Sequence, residues 1–249
     1  MGNRLKLVVA YDGAPFAGWQ SQKNGNAVQD FLERAFRNIL GHSVRVHGAG
    51  RTDSGVHALA QIAHADLPDR SLSAARWPAA LNASLPPALR VLRCTWASAT
   101  FHARFDAHGK IYRYRIWNDR ILPPLEVGRA WLVPPPLTFD IMKEEAQAFL
   151  GLHDFSSFAA NRGTPVEDTC RTIDRVNVRR SGHAISVEIG GDGFLYKMVR
   201  LMVGALVRVG HDPSCRGEIE KRLQFPERSP ATARLVAPAA GLILVRVRY

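Results

Sequence analysis

Residues 43–66 read SVRVHGAGRTDSGVHALAQIAHAD. The two ends have strand character, at 43–47 and 60–66, and glycines at 48, 50 and 55 crowd the turn between them. Two familiar uses of a Gly-rich loop fall away at once. No Gly-Lys-Ser/Thr follows, which removes a phosphate-cradling P-loop. The spacing after the first Gly-x-Gly fails the dinucleotide fingerprint, and a strand follows where that fold needs a helix. What remains is strand, sharp loop, strand, a unit suited to an antiparallel sheet.

Outward from this loop the chain keeps the same character. RLKLVVA at 4–10 reads as a strand with Leu5, Leu7 and Val9 on one face. The aromatic and Gly-rich loop YDGAPFAGWQSQ follows, then an amphipathic helix whose stripe is Val28, Phe31, Leu32, Ala35, Phe36, Ile39 and Leu40. A helix begins near Trp77 with Pro78 in its first turn and stops at LNASLPP. The second half repeats the pattern. GKIYRYRIW at 109–117 alternates as a strand, a helix spans 139–150, strands follow at 172–179 and 183–189, GGDG opens a long helix, and GLILVRVRY closes as a strand. The expected fold is α+β, with duplicated strand–helix–strand halves, 1–104 and 105–249, forming a largely antiparallel sheet. Helices cover one face and a basic cleft lies between the halves.

The charge balance narrows the partner. Among 249 residues, 33 basic against 22 acidic side chains give a formal charge of +11, and 27 of the basic residues are arginine. Codon bias accounts for arginine over lysine but not for the net excess. Such a chain suits nucleic acid or an anionic membrane surface. No apolar run approaches the roughly 18 residues of a membrane span, and the start MGNRLKLVVAYDG lacks the apolar region of a signal peptide. Cysteines 94, 170 and 215 form no CxxC pair, so neither a disulfide framework nor a zinc site is expected; reduced thiols in a cytoplasmic protein are.

Within the central loop Arg51 and Asp53 project from one turn. An arginine beside a carboxylate favours its charged, oriented form, which suits a nucleophile or base; a carboxylate there equally suits a local turn cap. Tyr112 shares a strand face with Tyr114 and Ile116, as a core tyrosine on a half-buried strand would. On a helix Lys197, Arg200 and Gly204 share one face, with Leu195, Met198, Val199, Met202 and Leu206 as the apolar stripe. Arg200 at that edge reads as a snorkelling side chain with its stem on the core. FHARF at 101–105 interleaves basic and aromatic groups, which suits RNA, although an alternating strand looks the same. Arg179 and Arg180 line an RNA path or are merely solvated.

These blocks together resemble the TruA family of tRNA pseudouridine synthases. The carriers are GAGRTDSGVHA, AYDGAPFAGWQSQ, FHARFDAHGKIYRYRI, DFSSFAA, FLYKMVRLMVGALVRVG and APAAGLILVRVRY, in order along nearly the whole chain. The loop at 161–171, with Glu167 and Asp168, departs most, and RNA contacts there are the least transferable. The resemblance implies isomerisation of uridine to pseudouridine at tRNA positions 38–40 in the anticodon stem-loop, by a homodimer, with no cofactor or metal. It assigns the nucleophile to Asp53, help in expelling the base to Arg51, stacking on the uracil to Tyr112, and pairing with the nucleophile to Arg200. It makes Leu242 and Leu244 pocket walls, which is compatible with ordinary core. It gives RNA contact to Phe101, His102, Ala103, Arg104, Phe105 and Lys197. Tyr112 is also a candidate to take the C5 proton. A non-catalytic RNA-binding protein on the same scaffold is the alternative from another class.

Overall fold

The computed structural model describes residues 3–23, 25–161, 163, 167–226 and 236–249. Two compact units emerge, one of residues 1–108 with 243–249, the other of residues 109–242. Both are α+β and their strands are largely antiparallel, as the alternating patterns imply.

In the first unit the strands are β1 (Arg4–Tyr11), β2 (Val46–Gly48), β3 (His57–Asp66), β4 (Leu89–Ala97) and, from Ile243, β10 (Leu242–Arg248). They run in the order β4-β1-β3-β10, with β2 also on β3. β1 pairs antiparallel with β3 and β4, and its Leu5, Leu7, Val9 and Tyr11 are all buried. β10 lies parallel to β3, with Ile243 opposite His57 and Leu244 opposite Ala58. Two helices complete the unit, α1 (Val28–Leu40) and α2 (Trp77–Asn82), the latter with Pro78 in its first turn as expected. Val28, Leu32, Ala35 and Phe36 form the buried stripe of α1, and Phe36 meets Trp77 of α2 at 5.4 Å between ring centroids. Burial of each such large side chain is worth about 1.5–3 kcal/mol. Ile39, expected in the stripe, falls in the last turn of α1 and is 39% exposed. The strand expected at 43–47 begins only at Val46, and β4 was not expected at all.

The second unit holds β5 (Gly109–Trp117), β6 (Trp131–Leu132), β7 (Gly151–Asp154), β8 (Cys170–Ser181) and β9 (Ala184–Gly191). Their order is β5-β9-β8-β7, with β6 parallel to β5. Tyr112, Tyr114 and Ile116 of β5 and Ile185, Val187 and Ile189 of β9 point into the core. The helices are α3 (Phe139–Glu145), α4 (Met198–His211) and α5 (Glu218–Gln224), and α4 packs on α3 and β5.

Two helix expectations need correction. The helix at 139–150 is α-helical only to Glu145 and then tightens into a 3-10 turn over Ala146–Phe149, which still buries Ala146 and Phe149. GGDG does not open the long helix: β9 runs to Gly191 and α4 starts at Met198. Lys197 takes φ +59°, a left-handed conformation that a helix interior excludes. Lys197 and Leu195 therefore precede α4, and Lys197 does not share a helical face with Arg200 and Gly204. Within 161–171, residues 162 and 164–166 lie outside the described residues.

Candidate active site

The loop between β2 and β3 is held by backbone and side-chain bonds alike. The Ala49 N–H donates to the Ile62 carbonyl (2.8 Å), the Gln61 side chain donates to the Gly50 carbonyl (2.9 Å), and the Val56 N–H closes a turn onto the Asp53 carbonyl (3.1 Å). The loop after β1 then lies against it. The Trp19 N–H donates to the Thr52 carbonyl (3.1 Å), Tyr11 and Thr52 share a hydroxyl hydrogen bond (2.8 Å), and Ser54 Oγ donates to the Phe16 carbonyl (3.1 Å). Both neighbours of Asp53 are thus tied to the preceding loop.

Glycine makes this approach feasible. A Cβ on Gly13 would sit 2.1 Å from the Val56 carbonyl oxygen, and one on Gly18, where φ is +87°, would sit 2.6 Å from the Thr52 carbonyl oxygen. The Gly13 N–H donates to His57 Nδ1 (3.0 Å), and the same nitrogen lies 3.1 Å from an Asp12 carboxylate oxygen. Burial pushes the Tyr11 phenol up to about 12, against the pull of its hydrogen bonds to Thr52 and Gln61, so it keeps its proton near neutrality. Asp53 emerges half-buried and Arg51 exposed, on a loop with little freedom to move. Tyr11, Gly13, Thr52, Gln61 and His57 were not singled out beforehand. Four of them lie inside the strings that carry the family resemblance, AYDGAPFAGWQSQ and GAGRTDSGVHA, and Gln61 lies just beyond the second.

The 101–105 segment, also in the first unit, is a turn and not a strand. Ala103 is fully buried, while Arg104 and Phe105 are exposed and His102 is intermediate. Leu244, opposite Ala58, is core.

In the second unit Tyr112 is 8% exposed, and its ring meets that of Phe194 edge-on, 5.2 Å between centroids at 84°. Arg200, in the first turn of α4, donates from Nε to the Ala237 carbonyl (2.7 Å), and its own carbonyl accepts from the Ala237 N–H (3.1 Å). The adjoining Pro238 carbonyl accepts from the Tyr114 hydroxyl (2.7 Å). Burial holds the Tyr114 phenol well above its ordinary range, with the Arg200 charge opposing. Arg200 therefore anchors the segment leading into Leu242, itself buried. Lys197 lies with its ammonium 5.1 Å from the Tyr196 ring centroid. The outward face of β5, β9 and β8 forms a groove of about 950 Å³ lined by Arg113, Arg115, Arg175, Arg179 and Arg180 among others. Glu188 holds Arg113 (3.1 Å) and Arg175 (2.9 Å) there.

Among the described residues no group of three or more His, Cys, Asp or Glu side chains is arranged to hold a metal ion, and no helix is long and apolar enough to cross a membrane.

The geometry can now be set beside known proteins. A family model described as tRNA pseudouridine synthase matches residues 7–106 and 146–249. A tRNA pseudouridine synthase A from Akkermansia muciniphila is 44% identical over 255 residues, spanning 99% of this chain and 95% of its own. The proteins of that name from Nitrobacter hamburgensis and Acetivibrio thermocellus are 43% and 40% identical, covering 99% and 98% of this chain and 99% of each of theirs. The matched stretches include the clamped loop at 49–56, the 101–105 turn and the first turn of α4, and the resemblance noted from the sequence motifs holds: this chain belongs to the tRNA pseudouridine synthase family.

Proposed function

We propose that this protein isomerises uridine to pseudouridine in tRNA, at positions 38–40 of the anticodon stem-loop, with Asp53 as nucleophile. The observation that carries this reading is the loop itself. A half-buried aspartate stands between two residues fixed to a second loop, in a chain whose similarity to tRNA pseudouridine synthase A relatives spans 99% of its length.

The reaction conserves composition. The N1–C1′ bond of uridine breaks, the uracil turns over, C5 bonds to C1′, C5 gives up a proton and N1 gains one. No redox partner enters that balance, so the reading includes no cofactor and no metal. A carboxylate nucleophile holds the fragment while the base reorients. Extruding the target nucleotide costs a few kcal/mol. Arg51, exposed beside Asp53, fills the vacated stack and offsets part of it. Tyr112 supplies a stacking face, worth about 1–3 kcal/mol per base, and Leu242 and Leu244 keep the wall roles that the resemblance gives them. Arg200, fixed through Ala237, keeps the role that the family resemblance gives it, as partner of the nucleophile. The turn with Phe101, His102, Ala103, Arg104 and Phe105 contacts the RNA together with Lys197, and a homodimer in the cytoplasm engages one tRNA with both subunits.

The deciding experiment incubates purified protein with unmodified tRNA and no added cofactor, maps pseudouridine, and repeats the assay with Asp53→Ala. Turnover is expected to vanish in the variant while tRNA binding survives. Pseudouridine formation at the normal rate would remove Asp53 as nucleophile. Binding without any turnover by the wild type would leave a non-catalytic RNA-binding protein.

A further inference from the structure

Three imidazoles meet beneath the 101–105 turn. His64 on β3 is 2% exposed. His47, its register partner on β2, stacks on it at 5.0 Å and 18°, and His102 meets it edge-on at 4.8 Å. His64 Nδ1 accepts a hydrogen bond from the Ala103 N–H at 3.1 Å. An imidazole nitrogen that accepts carries no proton, so the bond fixes His64 as the neutral tautomer protonated at Nε2. The surroundings favour that form. Burial lowers its proton affinity most, the Arg4 charge and then His47 and His102 add to this, and Asp66 alone opposes, leaving it at about 4.

The other face of the same residue is gripped as well. The Tyr249 hydroxyl donates to the Ala103 carbonyl at 2.6 Å. Lys6, opposite His64 on β1, stands over the rings of Tyr249 (4.0 Å) and Phe101 (4.6 Å). Arg4 donates to the Phe101 carbonyl at 2.6 Å while its fork holds Asp66. Asp106 accepts from the His102 N–H at 3.1 Å. Beyond this anchorage the tip is open. His102 Nδ1 accepts from the Arg104 and Phe105 N–H groups (3.1 and 3.2 Å), and the Phe105 ring lies against the His102 ring at 4.2 Å with 75% of the residue exposed.

A leucine would fill the His64 site with less desolvation, so the imidazole is there for its acceptor. We propose that His64 is a positioning residue for substrate: with Tyr249 it clamps the Ala103 backbone and so fixes the turn that presents His102, Arg104 and Phe105 to RNA. This rests on the reading of the chain as a tRNA-modifying enzyme whose 101–105 turn contacts RNA.

The test compares His64→Leu, which removes the acceptor, with His64→Asn, whose amide oxygen comes near the Nδ1 position, in steady-state assays on unmodified tRNA with melting temperatures recorded. The Leu variant is expected to raise KM about tenfold with kcat within twofold, and Asn to restore most of the loss. An unchanged KM for Leu, a fall in kcat at constant KM, or an Asn variant no better than a folded Leu variant would overturn the proposal. If the Leu variant does not fold, nitrogen-15 NMR of the wild-type imidazoles decides: the Nε2–H tautomer at His64 near neutral pH supports the clamp, and the Nδ1–H tautomer overturns it. Arg104→Ala separates the two levels. If it leaves KM unchanged, the turn does not contact RNA and the underlying reading of this segment fails; if it raises KM while His64→Leu does not, only the positioning role fails.

Discussion

Two loops of the first unit are held in place to different degrees. The Asp53 loop is fixed along its length, by main-chain bonds, by the Tyr11, Ser54 and Gln61 side chains, and through glycines that let a second loop approach to contact. The 101–105 turn is fixed by side chains reaching in from β1, β3 and Tyr249, and its tip stays open. The first arrangement confines one carboxylate and leaves little room for any added atom. The second tolerates variety at its tip provided its anchors remain. Chemistry on a single atom needs the former, whereas contact with an extended polyanion is served by the latter.

The sharpest way to break this contrast is Asp53→Ala. It is expected to lower kcat by at least about a thousandfold while tRNA affinity, read by filter binding, changes little. Affinity lost in proportion would mean that the loop serves binding after all. Next in size is Gly13→Ala, whose Cβ meets backbone that no rotamer change can relieve. It is expected to cost about 2–4 kcal/mol in denaturant unfolding and to impair turnover with it. Alanine at the exposed Phe105 should leave stability nearly unchanged.

Acid separates the loops in a third way. His64 takes up a proton more readily unfolded, near 6.5, than folded, at about 4, so the unfolded state binds more protons between those values. The contribution is complete above pH 6.5 and is lost as pH falls toward 4, up to about 3 kcal/mol in all. Tyr11 in the other loop does not titrate in that window. Unfolding midpoints followed from pH 7 to 4 should therefore decline, and the decline should be shallower in His64→Leu. The smallest effect is expected from Arg104→Ala: about 1 kcal/mol of tRNA affinity and a salt slope shallower by about one. A salt dependence identical to the wild type would show that Arg104 meets no phosphate.

Burial was the part of this structure most open to reading from sequence. The period of two in β1 and β5 and the stripe of α1 declared their inward faces, and the strings at 47–58 and 101–105 marked the two loops. Partnership was not readable in the same way. Nothing in RVLRCTWA at 90–97 alternates cleanly, because β4 lies at the end of the strand order and its pairing with β1 shifts register between Val8 and Val9. The parallel seat of β10 on β3, the hydroxyl pair of Tyr11 and Thr52, and the bond from Ala103 to His64 each join residues far apart in sequence, and periodicity carries no record of such distant pairs. The left-handed Lys197 escaped because lysine is an ordinary helix former, and only the packed chain excludes it from α4.

Synthesis on the ribosome gives the parallel seat of β10 another meaning. Chains emerge N-terminus first, and β2 shields β3 only along Ala63–Ala65. The stretch of β3 at His57 and Ala58, directly after the Asp53 loop, waits for residues 243 and 244 to leave the exit tunnel before its edge is capped. Until then a nascent polypeptide carries an uncapped strand margin beside the Asp53 loop, a segment that chaperones or neighbouring nascent chains can engage.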